Sequence, residues 1–189
     1  MRFFDILSGK ISYLNTNFYS NLNDLFQKTE ELDSPLAEPL FQESLVLSHT
    51  IIESILNIER NNKFSEFVSI KDYRLITKSD FSDAYVILLT SLAYQFAKIN
   101  QFLEDNVYSD LFKILPNVEL SKGLLNELNL IKEFDLLKID RVIWKMLVKK
   151  LKIIESPGPA SLVYFSGFKN IVFIEILKKF KNTIKATKS

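Results

Sequence analysis

The sequence predicts a mainly helical protein: an acidic N-terminal antiparallel helical bundle over residues 1–105, then a smaller α+β segment over 106–189 with one β-hairpin and a basic C-terminal helix. Three observations carry this. Apolar residues recur at steps of three and four over long stretches, the signature of amphipathic helices. Glycine is scarce, at four residues in 189, too few for the tight turns of a sandwich or barrel. One Pro-Gly turn, Ser156–Pro159, stands between β-branched and aromatic residues that favour strands. The apolar fraction of 47% suits a folded chain with a real core, and the two parts are free to pack as one domain.

The elements follow in order. Residues 12–32 read as a helix through Leu14, Phe18, Leu22, Leu25 and Phe26, ended by Asp33-Ser34-Pro35. Residues 36–60 form the next, with Phe41, Leu45, Ser48, Ile52, Ile55 and Leu56 on one face and Asn61-Asn62 as its stop. Residues 61–79 fit a short helix or a loop. The third long helix spans 80–104, with Ser79 or Asp80 as cap and Tyr85, Leu88, Leu92, Phe96, Ile99 and Leu103 as its stripe. A stripe of that length needs other helices to cover it, hence the bundle. Shorter helices are expected at 107–115, ended by Pro116, at 121–132, capped by Ser121, and at 138–151. The hairpin takes 153–165 and a last helix 170–184.

Charge is unevenly spread behind a net of +1. Residues 141–189 hold 11 of the 24 basic residues and two acids, Glu155 and Glu175, a net of +9; residues 1–140 carry −8. Such a split gives one molecule two surfaces with different natural partners. At 100° per residue, Lys138, Arg141, Lys145, Lys149 and Lys152 fall within an arc of about 80°. Ile139, Ile143, Met146, Leu147 and Leu151 fill much of the rest. A cationic ridge on a half-buried helix suits a run of phosphates, and Arg141 has the bidentate donors to read a guanine edge. The hairpin would bring Lys169, just past Gly167, to the same backbone.

Three short helices followed by a hairpin over residues 107–165 resemble a winged helix-turn-helix, whose last helix before the wing enters the major groove. The resemblance is one of element order and rests on no motif. It implies DNA contact through 138–169. The basic arc lacks Asn, Gln, Ser and Thr neighbours, so contact with the backbone should outweigh sequence readout.

A search for catalysis returns little. With no cysteine, thiolate metal sites, cysteine nucleophiles and a disulfide-built scaffold are excluded. The four glycines are too dispersed for a phosphate loop and no Gly-x-Ser-x-Gly elbow exists. His49 is the one histidine and shares a helix face with Glu53, four residues on. That pair alone motivates a metal-dependent enzyme as a third reading. No cofactor or metal is expected.

The leading expectation is therefore a non-enzymatic nucleic-acid-associated protein. The alternative is a protein–protein interaction module (adaptor, complex subunit or inhibitor-like protein, with homo-oligomers possible) built on its 16 phenylalanines. Neither a signal-peptide core nor an apolar run of about 18 residues is evident, so a cytoplasmic protein with no transmembrane segment is expected. Peripheral membrane contact by 171–185, through Phe173, Phe180 and the lysines beside them, is the weaker use of that helix.

Overall fold

A computed structural model describes residues 18–56, 63–101 and 104–188, the side chains of 182–188 excepted. The described part is mainly helical. Among the described residues are seven α-helices: α1 (Ser20–Thr29), α2 (Ala37–Ile55), α3 (Lys78–Ile99), α4 (Glu104–Ile114), α5 (Val118–Asn129), α6 (Leu136–Lys150) and α7 (Ala160–Lys188). Two three-residue strands, β1 (Val68–Ile70) and β2 (Ile153–Glu155), pair antiparallel with Ser69 opposite Ile154. Leu14, Asn61-Asn62 and Leu103, used in the sequence reading, lie outside the described residues.

Helix α3 is the centre. It is buried on every side from Asp83 to Ala97, as a helix must be when its apolar residues run round its whole circumference. Helices α2, α4, α5 and α6 pack against it. The core continues from Phe18 and Leu25 through α3 to Phe165 and Phe173 of α7, so residues on both sides of position 105 share it.

The starts of the helices differ from expectation in an instructive way. Thr77, not Ser79 or Asp80, caps α3. Its hydroxyl accepts from the Asp80 amide at 3.0 Å, and the Asp80 carboxylate accepts from the Thr77 amide at 3.0 Å, a capping box. Asn117, not Ser121, caps α5. Ser121 lies inside that helix and bonds Thr90 of α3 at 2.7 Å. Asp135 caps α6, accepting from the amides of Leu137 and Lys138.

The expected 153–165 hairpin is not formed. Residues 153–155 are a strand, but their partner is β1, more than 80 positions earlier, and residues 161–165 belong to α7. Local β propensity at Val163, Tyr164 and Phe165 loses to burial at helical spacing. Ser161, Phe165, Lys169, Phe173, Ile176 and Phe180 form one buried stripe along α7, and tertiary packing overrides propensity. The expected helix 170–184 is thus only the later part of α7. Because the partner of β2 comes from residues 68–70, the 106–189 segment forms no hairpin of its own. The Pro-Gly turn itself is real: Gly158 has φ 97°, a conformation open to glycine. Over Ala160–Lys181, α7 is long and apolar enough to cross a membrane, by length and composition alone.

Candidate nucleic-acid interface

The start of α6 is fixed by its Asp135 cap and its rotation by Ile139, Ile143, Trp144 and Leu147, all buried. That rotation turns Lys138, Arg141, Lys145 and Lys149 outward, and all four are exposed. None forms a salt bridge with an acid among the described residues. At 1.5 Å per residue the stripe runs about 16 Å.

Two further predicted members do not join it. Lys152 lies past the end of α6, with φ 55°. That left-handed residue turns the chain into β2 and leaves the Lys152 ammonium 3.9 Å from Asp80. Its neighbour Lys150 pairs with Asp83 at 2.9 Å, tying α6 to α3.

Lys169 is a correction. It does not approach a surface at all: its side chain is 0% exposed. Because 161–169 is helix rather than hairpin, Lys169 falls on the inner face of α7. There its ammonium donates to the carboxylate of Asp140 and to the side-chain carbonyl of Gln95. Asp140, also 0% exposed, accepts in addition from Ser166 at 2.6 Å and Asn170 at 2.7 Å. Asn170 accepts from Gln95 at 3.1 Å. Burial pulls the Lys169 ammonium below its ordinary pKa, and the Asp140 carboxylate opposes that pull. This closed network joins α3, α6 and α7. The sequence carried a signal for it, since Asp140 interrupts the apolar face of α6 and Lys169 keeps step with Phe165 and Phe173.

His49 and Glu53 do meet, with Nε2 2.7 Å from the carboxylate. The other ring nitrogen is 2.7 Å from the hydroxyl of Tyr85, and the ring stacks on Phe18 at 4.7 Å. Both nitrogens are therefore engaged by protein. Among the described residues no group of three or more His, Asp or Glu side chains is placed to hold a metal ion. Burial raises the Tyr85 hydroxyl pKa well above its usual value, which suits a hydrogen-bond donor and not a nucleophile. The arrangement ties α2 to α3.

Burial also pushes His49 down to about 4 from 6.5. The unfolded chain then binds a proton that the folded chain refuses, so stability is full above pH 6.5 and falls as pH drops towards 4. Discounted for the partial exposure of the ring, the loss is about 2 kcal/mol. Urea titrations at pH 7 and pH 4 should show that loss in wild type and a clearly smaller one in His49→Gln. An equal loss in both would assign the acid sensitivity elsewhere.

A cavity of about 470 Å³ opens between the α1–α2 turn and α4, lined by Asp33, Leu36, Leu40, Phe41, Val107 and Asp110 among others. No ridge residue lines it. Comparison with known proteins gives no match to any family model, curated protein or solved structure.

Proposed function

We propose that the protein is a non-enzymatic nucleic-acid-associated protein that meets the phosphate backbone through α6. One observation supports this most: four exposed cations, Lys138, Arg141, Lys145 and Lys149, stand in a single stripe without salt-bridge partners among the described residues, while Lys150, Lys152 and Lys169 are paired with acids. A folded protein with acids to spare could have paired them, as it paired Lys150 and Lys152. The stripe carries no polar uncharged side chains for reading bases, and α6 has no hairpin wing beside it. Contact is therefore with phosphate, and it is weakly dependent on sequence.

The test is a titration of labelled duplex and single-stranded DNA and RNA at two salt concentrations. If the four cations neutralise four phosphates, a fourfold rise in salt should weaken binding roughly a hundredfold. Reversing Arg141, Lys145 and Lys149 to Glu should abolish binding while leaving the melting temperature within a few degrees of wild type, since all three side chains are exposed. Unchanged affinity in that variant, or no binding at low salt, would remove the proposal.

A second reading, a protein-interaction module, draws on the outer face of α7, where Val163, Ile171 and Ile174 are exposed. Sedimentation at rising protein concentration addresses self-association: a strict monomer counts against a homo-oligomer.

A further inference from the structure

The ridge ends in an apolar tip that phosphate contact does not use. The connection from α5 to α6 leaves Leu130 80% exposed and Phe134 48%, with Leu136 and Leu137 also exposed. Capping by Asp135 fixes where the helix begins and so holds Leu136 and Leu137 on its first turn, outside the core. Four large apolar side chains within eight residues are more than the scattered singles of an ordinary surface.

The outer face of α7 carries a second exposed apolar stripe. Asp140 is bonded to Ser166 and Asn170, and Trp144 stacks on Phe165 at 5.0 Å. Positions falling along α6 therefore meet positions rising along α7. Leu137, one turn before Asp140, comes level with residues 173–174. Ile174, Ile171 and Val163 face outward on α7, each about half exposed or more. Gly167 lies in the same stripe, and a Cβ there would meet nothing within 4 Å.

Charge says what covers this patch. Between residues 130 and 149 five basic side chains are exposed: Lys132, Lys138, Arg141, Lys145 and Lys149. Outside the core the same stretch has two carboxylates, Glu133 and Asp135, and Asp135 is occupied as a cap. On α7, Glu175 faces Lys178 at 3.6 Å, and Lys181 is exposed. An apolar strip bordered by long cationic side chains matches a bilayer whose acyl layer lies under anionic headgroups. The lysines keep their ammonium groups at headgroup level while their stems follow the apolar surface. A nucleic acid would satisfy the cations and leave three leucines facing water.

We propose that the α5–α6 tip and the outer stripe of α7 dock the protein on an anionic lipid surface. The inference is independent of the nucleic-acid reading, because the tip carries the apolar part of the contact and the ridge can serve either polyanion. The test is flotation of the full chain with phosphatidylcholine vesicles, alone or with roughly a third phosphatidylserine. Wild type should bind only the vesicles with phosphatidylserine. A tip variant, Leu130→Ser with Phe134→Ser and Leu137→Ser, should lose at least about tenfold in partitioning with its melting temperature and duplex affinity unchanged. Absence of binding to the anionic vesicles would overturn the proposal, as would a tip variant that binds them like wild type. Loss of single-stranded nucleic-acid binding alone would make Phe134 a stacking platform, and loss of a dimer alone would make a second copy the occupant. Vesicle binding without DNA binding would remove the nucleic-acid reading and leave this one standing.

Discussion

Asp140→Ala is expected to lower the unfolding free energy by about 3–5 kcal/mol. A domain of this kind holds about 5–15 kcal/mol in total, so the variant should be partly unfolded at physiological temperature. The reason is asymmetry. The intact pair is enclosed, with Asp140 accepting from Lys169, Ser166 and Asn170. Removing the carboxylate strands an ammonium that is shut off from solvent, leaving it only the Gln95 carbonyl. Lys169→Met should cost less, because Ser166 and Asn170 still donate to the carboxylate. The double variant, Asp140→Leu with Lys169→Met, should recover most of the loss, since apolar replacement of a buried ion pair is often near neutral. Urea unfolding of wild type, Asp140→Leu, Lys169→Met and the double variant gives the coupling directly. Losses that simply add in the double variant would show that the two charges do not stabilise each other.

That network also marks the limit of what the sequence made legible. The long central helix is readable because Tyr85, Leu88, Leu92 and Phe96 keep period, while its burial on all sides comes from the apolar residues between them, which the single stripe leaves out. The outward direction of Lys138, Arg141, Lys145 and Lys149 was readable for the same reason, since the apolar face of α6 sets its rotation. Caps were displaced by up to four residues because several polar side chains compete at each helix start. The choice depends on which backbone amides remain open, as Thr77 and Asn117 show. The strand pairing was not readable locally. Val68–Ile70 and Ile153–Glu155 are brought together by the helices between them, and three-residue strands carry almost no pattern of their own. The error at Lys169 followed from that one. With 161–165 read as a strand, the periodicity from Phe165 through Lys169 to Phe173 is cut, and a core lysine reads as a surface one. The apolar tip at Leu130–Leu137 is not legible in the sequence, because exposure of leucine has no signature in composition.

Trp144→Ala should cost a comparable 3–5 kcal/mol, for a different physical reason. Trp144 is 3% exposed and fills the joint between α6, β2 and α7. Its ring stacks on Phe165 at 5.0 Å and on Phe64 at 6.0 Å, and Phe64 in turn meets Tyr164 edge-on at 4.6 Å. Its indole N–H donates to Glu155 at 2.8 Å, and Glu155 is the strand residue that pairs with Val68. Truncation removes the ring contacts and leaves a cavity where three elements converge, so collapse on one side opens another. Trp144→Phe keeps most of the ring and loses the hydrogen bond, at about 1 kcal/mol, because Ser161 still donates to Glu155. Circular dichroism melts should rank wild type, Trp144→Phe and Trp144→Ala in that order. Under the proposed nucleic-acid contact, affinity should fall only where folding fails, because Trp144 lies on the buried side of α6 and the ridge on the other. An alanine variant as stable as wild type would mean that the two-strand sheet, and not the aromatic cluster, holds α6 in place. A phenylalanine variant that stayed folded and lost affinity would mean that the rotation of α6 depends on the bond to Glu155.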